Sequence, residues 1–136
     1  MLRNATRAYD MTRFAAGFVF LSAAVFRVFN PAAAAHEMIR LHLPAGVSWA
    51  IVVFEIAVAM MFLLNVRVRL AALATILFLC GAIALALAIY WKEVFAAMHE
   101  LFVFNPTPTD ILLHVMYVLF LVLLVRGLRD TGDRTR

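Results

Sequence analysis

Apolar positions along this chain come in long uniform blocks instead of the short alternations of a half-buried strand. The first block runs from Phe14 to Phe29 and is interrupted by Arg27. The second, Leu43 to Leu64 (LPAGVSWAIVVFEIAVAMMFLL), holds a single ionisable residue, Glu55. The third, Leu70 to Trp91, contains no ionisable group, and the fourth follows Asp110 as far as Val125. Blocks of roughly 20 apolar residues match the hydrocarbon thickness of a bilayer. The pattern predicts one transmembrane domain over residues 1–136, with spans at about 13–30, 44–64, 70–91 and 109–126.

The polar punctuation between the blocks predicts shorter elements. Asn30-Pro31 has the form of a helix cap followed by proline at the first helical position, and a short helix over Pro31 to Leu41 is expected. Pro44 suits the first turn of the second span, and residues 65–69 leave room only for a tight turn. Tyr90-Trp91 closes the third span with side chains suited to the membrane interface. Lys92 to Phe104 is too short and too charged to span; Phe95, Met98 and Phe102 share a helical face, as in a helix lying in the interface. Thr107-Pro108-Thr109-Asp110 reads as a capping box opening the fourth span. Small residues four apart in the third span, Ala71/Thr75, Ala82/Ala86 and Cys80/Ala84/Ala88, predict close helix packing.

Composition agrees: 66% of residues are hydrophobic and 15% charged, with mean hydropathy +0.97. A soluble domain is nearer half apolar and a quarter charged, so the chain reads as an integral membrane protein. The net charge of +4 and pI near 10 do not point to nucleic acid, because the arginines flank apolar spans and serve topology and headgroups. A single cysteine, Cys80, excludes an intrachain disulfide and a cysteine metal cluster. The basic start, apolar run and Ala33-Ala34-Ala35 imitate a secretory signal. The polar approach Arg27 to Asn30 argues for an uncleaved first span.

Lys and Arg set the expected orientation. Arg3, Arg7, Arg13, Arg67, Arg69, Arg126, Arg129, Arg134 and Arg136 fall on one side, and Arg40 and Lys92 on the other. Nine against two predicts an all-α, up-down four-helix bundle in the cell inner (plasma) membrane. Both termini are then cytoplasmic, with the short interfacial helices on the outer side. No inverted repeat with broken spans, the usual sign of a transporter, is found.

The chemistry-bearing residues gather toward that outer side. Asp110, His114 and Tyr117 are spaced i, i+4, i+7 and share one face. At 1.5 Å per residue, Arg27 lies roughly 6 Å below Pro31, His114 roughly 6 Å below Asp110, and Glu55 roughly 16 Å below Pro44. Long side chains close much of the gap between Arg27 and Glu55, and an intramembrane acid requires shelter or a partner. A polar pocket built from Arg27, Glu55, His114, Tyr117 and Asp110 is therefore expected. The competing readings are bland: Arg27 snorkelling to headgroups, an Arg27–Glu55 structural lock, His114 in the interface, Tyr117 in the core. No metal is assigned. His36, His42 and His99 are weak candidates, since adjacent pairs such as His36-Glu37 point about 100° apart. No P-loop, dinucleotide fingerprint, CxxC or nucleophile elbow is present, so the chain is not expected to be catalytic alone.

Several of these residues also carry a family resemblance. Arg13 with Gly17, the basic Arg27 near the end of span one, Leu43-Pro44, Glu55, and Arg67 with Arg69 resemble the DoxX-like family of small four-span membrane proteins, over roughly residues 12–127. Arg27 stands where a lysine is common in that family. The resemblance implies membrane redox chemistry, as in a subunit of a thiosulfate:quinone oxidoreductase. The chain is expected to be a subunit of a quinone-linked membrane complex, with quinone as ligand and Glu55 as proton carrier. The alternative is a non-catalytic anchor packing against larger membrane partners or copies of itself; lipid is a partner in either case and nucleic acid in neither.

Overall fold

The computed structural model describes the backbone of residues 2–96 and 106–132, and the side chains of residues 9–95 and 111–127. Among these residues all regular structure is helical: α1 (Leu2–Phe29), α2 (Pro31–Arg40), α3 (Val47–Leu63), α4 (Val68–Ala96) and α5 (Pro106–Gly132). Tyr9–Phe29 and Val68–Phe95 are long and apolar enough to cross a membrane, and Val47–Leu63 and Ile111–Gly127 are shorter apolar helices.

Helix ends depart from the sequence expectation for local reasons. α1 starts at Leu2, well before residue 13, because Ala, Arg and Met favour helix and no proline or glycine intervenes until Gly17. Asn30 does not cap α2. Its Nδ2 donates back to the Phe26 carbonyl at 3.0 Å, closing α1 instead, while Pro31 takes the first position of α2 as expected. Pro44 does not open α3 either. Val47, Ser48 and Trp49 donate their N–H groups to Pro44, Ala45 and Gly46, three residues back, so a tight turn leads into the helix. α4 carries a break at Tyr90 (φ −114, ψ 19) and continues to Ala96. Met98, His99 and Phe102 lie outside the described residues. α5 begins at Pro106, ahead of the expected cap at Thr107, since proline is tolerated in a first turn; it runs on to Gly132.

α1 packs most extensively along α3, and α4 along α5. The α1–α3 pair is antiparallel and close. A Cβ added to Gly17 would sit 2.8 Å from Leu63 Cγ and 3.2 Å from Phe62 Cβ, so hydrogen is the only side chain this crossing admits without displacement. The shared core includes Phe20, Val58, Ala59, Phe62, Ala71, Ala72, Leu79, Leu121 and Leu124. Phe54 and Phe78 join α3 to α4 with ring centroids 4.8 Å apart. Ala71 and Thr75 are fully packed, and Thr75 Oγ1 donates to the Ala71 carbonyl at 2.8 Å. Cys80, Gly81, Ala84 and Ala88 face outward from α4.

Arg13 closes the far end of the α1–α3 pair. Its Nη1 donates to the carbonyl of Phe62 and, at 3.0 Å, to that of Leu63, both in the last turn of α3. The helix gives the Leu63 carbonyl no donor and the Phe62 carbonyl only the Asn65 N–H of the following turn, at 3.3 Å, and a cation suits the negative end of the helix dipole. Asp10 sits 3.5 Å from Arg13 Nη2, and the Phe14 ring lies 4.4 Å from its guanidinium carbon.

Candidate functional site

About three turns of helix separate Arg27 on α1 from the Gly17 crossing, which sets its level on α3 opposite Glu55. Arg27 Nη1 donates to Glu55 Oε1 at 2.6 Å. Since α3 starts at Val47, Glu55 lies about 12 Å into it rather than the roughly 16 Å counted from Pro44, and the arginine stem spans what is left. The Glu55 side chain is only 4% exposed and that of Arg27 18%. The pair is a buried salt bridge, which adds little over apolar residues of equal volume but costs several kcal/mol when one partner is removed.

The second contact of Arg27 has no counterpart in the sequence expectation. Its Nη2 reaches both Oε1 and Oε2 of Glu37, each at 3.3 Å. One guanidinium therefore bridges two carboxylates, one buried in α3 and one half exposed on α2. Glu55 Oε2 and Arg27 Nε are both buried with no hydrogen-bond partner among the described residues.

Glu37 also faces a cavity of about 290 Å³ between α2, α4 and α5. Its polar wall is made by His36, Glu37 and Arg40 of α2, Tyr90 of α4 and His114 of α5. Its apolar wall includes Ala82, Ile83, Ala86 and Ile111. The position of α2 is fixed by Tyr90, whose hydroxyl donates to the Arg40 carbonyl at 2.6 Å, while the Arg40 guanidinium carbon lies 5.8 Å from the centroid of its ring. The break in α4 at Tyr90 is the point where this contact forms. Ala82 and Ala86, expected as helix-packing positions, leave the space open because their side chains are too short to fill it.

The expected pocket is thus divided. Arg27 and Glu55 are in direct contact, and His114 lines the neighbouring cavity; Glu37 touches both groups. Tyr117, one turn deeper on α5 than His114, packs against the hydrophobic core. Asp110 and His99 have side chains outside the described residues. His36 lies on the cavity wall, and His42 occupies a left-handed turn (φ 55) after α2. Among the described residues no three of His, Cys, Asp and Glu converge on a point that could hold a metal ion. Glu37, Arg40 and Tyr90 are the site residues that sequence reasoning misses. A signal exists: Ala33, His36, Glu37 and Arg40 recur at i, i+3, i+4, i+7, one face of a short helix.

Chemically, the arrangement offers an amphipathic slot. A flat or slender ligand would lie against alanine and isoleucine, with its polar end among two imidazoles, a guanidinium and a carboxylate. Such a site, mostly apolar with a few convergent polar groups between helices, is the usual form of a small-molecule site. Comparison with known proteins gives one result. A family model described as DoxX matches residues 9–91, which takes in Arg13, Gly17, Arg27, Glu37, Arg40, Glu55 and Tyr90 but not His114. No curated protein and no solved structure matches the chain.

Proposed function

Because the chain belongs to the DoxX family, generally small membrane proteins, we propose that it is an integral membrane subunit of a quinone-linked redox complex, with the α2–α4–α5 cavity as the quinone headgroup site. The observation that carries this reading is the cavity's two-sided wall together with its link, through Glu37, to the Arg27–Glu55 ion pair. A volume of about 290 Å³ suits one substituted ring and leaves a long isoprenoid tail outside, in lipid. His114 and Arg40 are the donor-bearing side chains that would face ring oxygens. Glu55 sits behind Arg27 as its fixed counter-charge.

The topology that goes with this function has four spans, α1, α3, α4 and α5, and cytoplasmic termini. It is supported by the lysine and arginine asymmetry and by the antiparallel α1–α3 pair. The cavity then opens toward the outer leaflet, where α2 lies.

The reading is tested by binding of a short-tailed quinone to the purified full chain in lipid nanodiscs. Saturable binding is expected, with at least a tenfold loss when the cavity is filled by Ala86→Phe, an order set by steric exclusion from a close-packed site. Binding that persists unchanged in Ala86→Phe would remove the cavity from the function. A second reading, a non-catalytic anchor, is favoured by the outward row Cys80, Gly81, Ala84 and Ala88, which would let another helix approach closely. Copurification of stoichiometric partners with no quinone bound would support it.

A further inference from the structure

Resting on the quinone reading above, the geometry points to Glu37 as the residue that selects the redox form of the ligand: the cavity takes the hydroxyl-bearing, reduced ring in preference to the oxidised one. The reason lies in the count of donors and acceptors. A reduced ring carries hydroxyl groups, each of which donates one hydrogen; an oxidised ring carries only carbonyl acceptors.

On the cavity wall, the Tyr90 hydroxyl already donates to the Arg40 carbonyl at 2.6 Å, so its hydrogen is committed and its oxygen can offer a ligand only a neutral, weak acceptor. Arg40 can donate to one ring oxygen in either redox form and does not discriminate between them. An imidazole carries an N–H in either protonation state, a donor that suits a ring oxygen of either form. Glu37 is different. As a carboxylate it only accepts. Its contacts to Arg27 Nη2 are long, 3.3 Å to each oxygen, against the usual 2.7–3.2 Å for such bonds. They leave lone pairs on both oxygens, and the side chain is 49% exposed.

A ring hydroxyl placed at Glu37 donates into a charge-assisted hydrogen bond, about twice as strong as a neutral one. A ring carbonyl in the same place faces an acceptor with no hydrogen between them. The chain of contacts behind Glu37 holds this polarity in place. Glu55 pairs with and orients Arg27, and Arg27, in contact with both Glu37 oxygens, holds that side chain to the same wall.

The test measures binding of one short-tailed ligand in both redox forms, under anaerobic conditions, to the full chain in nanodiscs. The unsubstituted protein is expected to bind the reduced form about tenfold more tightly. Glu37→Gln keeps the size but presents an amide donor, so it should weaken the reduced form about tenfold and leave the oxidised form bound at least as well as before. Retained binding of the oxidised form shows that the variant is folded; should it not fold, Glu37→Ala, which removes the acceptor, is measured in its place and should likewise lose the reduced-form preference. Equal affinity for both forms, or a preference for the oxidised one, overturns the inference and leaves the quinone site standing. A reduced-form preference that survives Glu37→Gln overturns the role of Glu37. Binding of neither form overturns the quinone reading, and the inference falls with it.

Discussion

Glu55 and Arg27 behave as a unit whose members are not separately dispensable. Removing the carboxylate alone, in Glu55→Leu, leaves a buried guanidinium held only by a half-exposed partner. A loss of about 3–5 kcal/mol in unfolding free energy is expected, measured by detergent-induced unfolding in mixed micelles. Replacing both, in the Arg27→Met/Glu55→Leu double variant, should return the protein to within about 1–2 kcal/mol of the original stability, because apolar residues of similar volume fill such a site at least as well. A double variant no more stable than Glu55→Leu would mean that the pair holds the fold and not only its own charges. The contact itself is legible in the sequence: an acid in an apolar span and a base near the end of the preceding one, at depths a long side chain can bridge. The third member is not. Glu37 meets Arg27 only because Asn30 closes α1 and Pro31 starts α2 at once, folding the short helix back over the end of its predecessor. No spacing rule supplies that angle. Tyr117 shows the opposite limit, since a shared helical face with His114 does not bring it to the same cavity; one turn of depth moves it into the core.

At the scale of helices, α1 and α3 are held by three features in a row: Arg13 on the last carbonyls of α3, Gly17 at the crossing, and Arg27 on Glu55. Gly17→Leu should force the helices apart and destabilise the protein by about 1–3 kcal/mol, the usual range for overpacking. Adding Leu63→Ala removes the atoms nearest the intruding side chain and should recover part of that loss. Recovery would be read as non-additivity between the two substitutions, and strict additivity would show that the crossing is not where the strain falls. Arg13→Met should cost about 1–3 kcal/mol, the range for leaving a buried acceptor unpaired, since Leu63 loses its donor and Phe62 keeps only the Asn65 N–H at 3.3 Å. In the sequence Arg13 looks like one more cytoplasmic charge. Its capping role is hidden because nothing local marks a cation that serves a helix end forty-nine residues away. Tyr90 likewise looks like an interface anchor, whereas its hydroxyl fixes the end of α2.

For the molecule as a whole, the separation of polar groups into two ends is the feature that topology must explain. His36, Glu37, Arg40, Tyr90 and His114 occupy the end that carries α2, while Arg13 lies at the end that carries the α3–α4 turn with Arg67 and Arg69. The proposed orientation predicts that, in a Cys80→Ala background, a cysteine at position 36 reacts with an impermeant thiol reagent from outside intact cells. A cysteine at position 67 should react only in inverted vesicles. Reaction of both from one side would exclude an odd number of crossings between them and with it the four-span arrangement. Helical class is plain from block length and hydropathy. The cavity is not, because it is defined by what Ala82 and Ala86 fail to fill, and an absence of side-chain volume has no signature until neighbouring helices are in place.

The Arg27–Glu55 bond also has a consequence for synthesis. Its two halves are 28 residues apart, so a ribosome adding about 5–20 residues per second delivers the base roughly 1–6 seconds before its acid. During most of that interval the acid within reach of Arg27 is the half-exposed Glu37, ten residues downstream, which holds the guanidinium toward the end of the first helix. Its final depth is set only when the second long apolar segment emerges beside it. In the proposed four-span topology the two segments would enter the lipid as a hairpin, and a translation pause between them would prolong the exposure of Arg27 and lower the yield of correctly inserted protein.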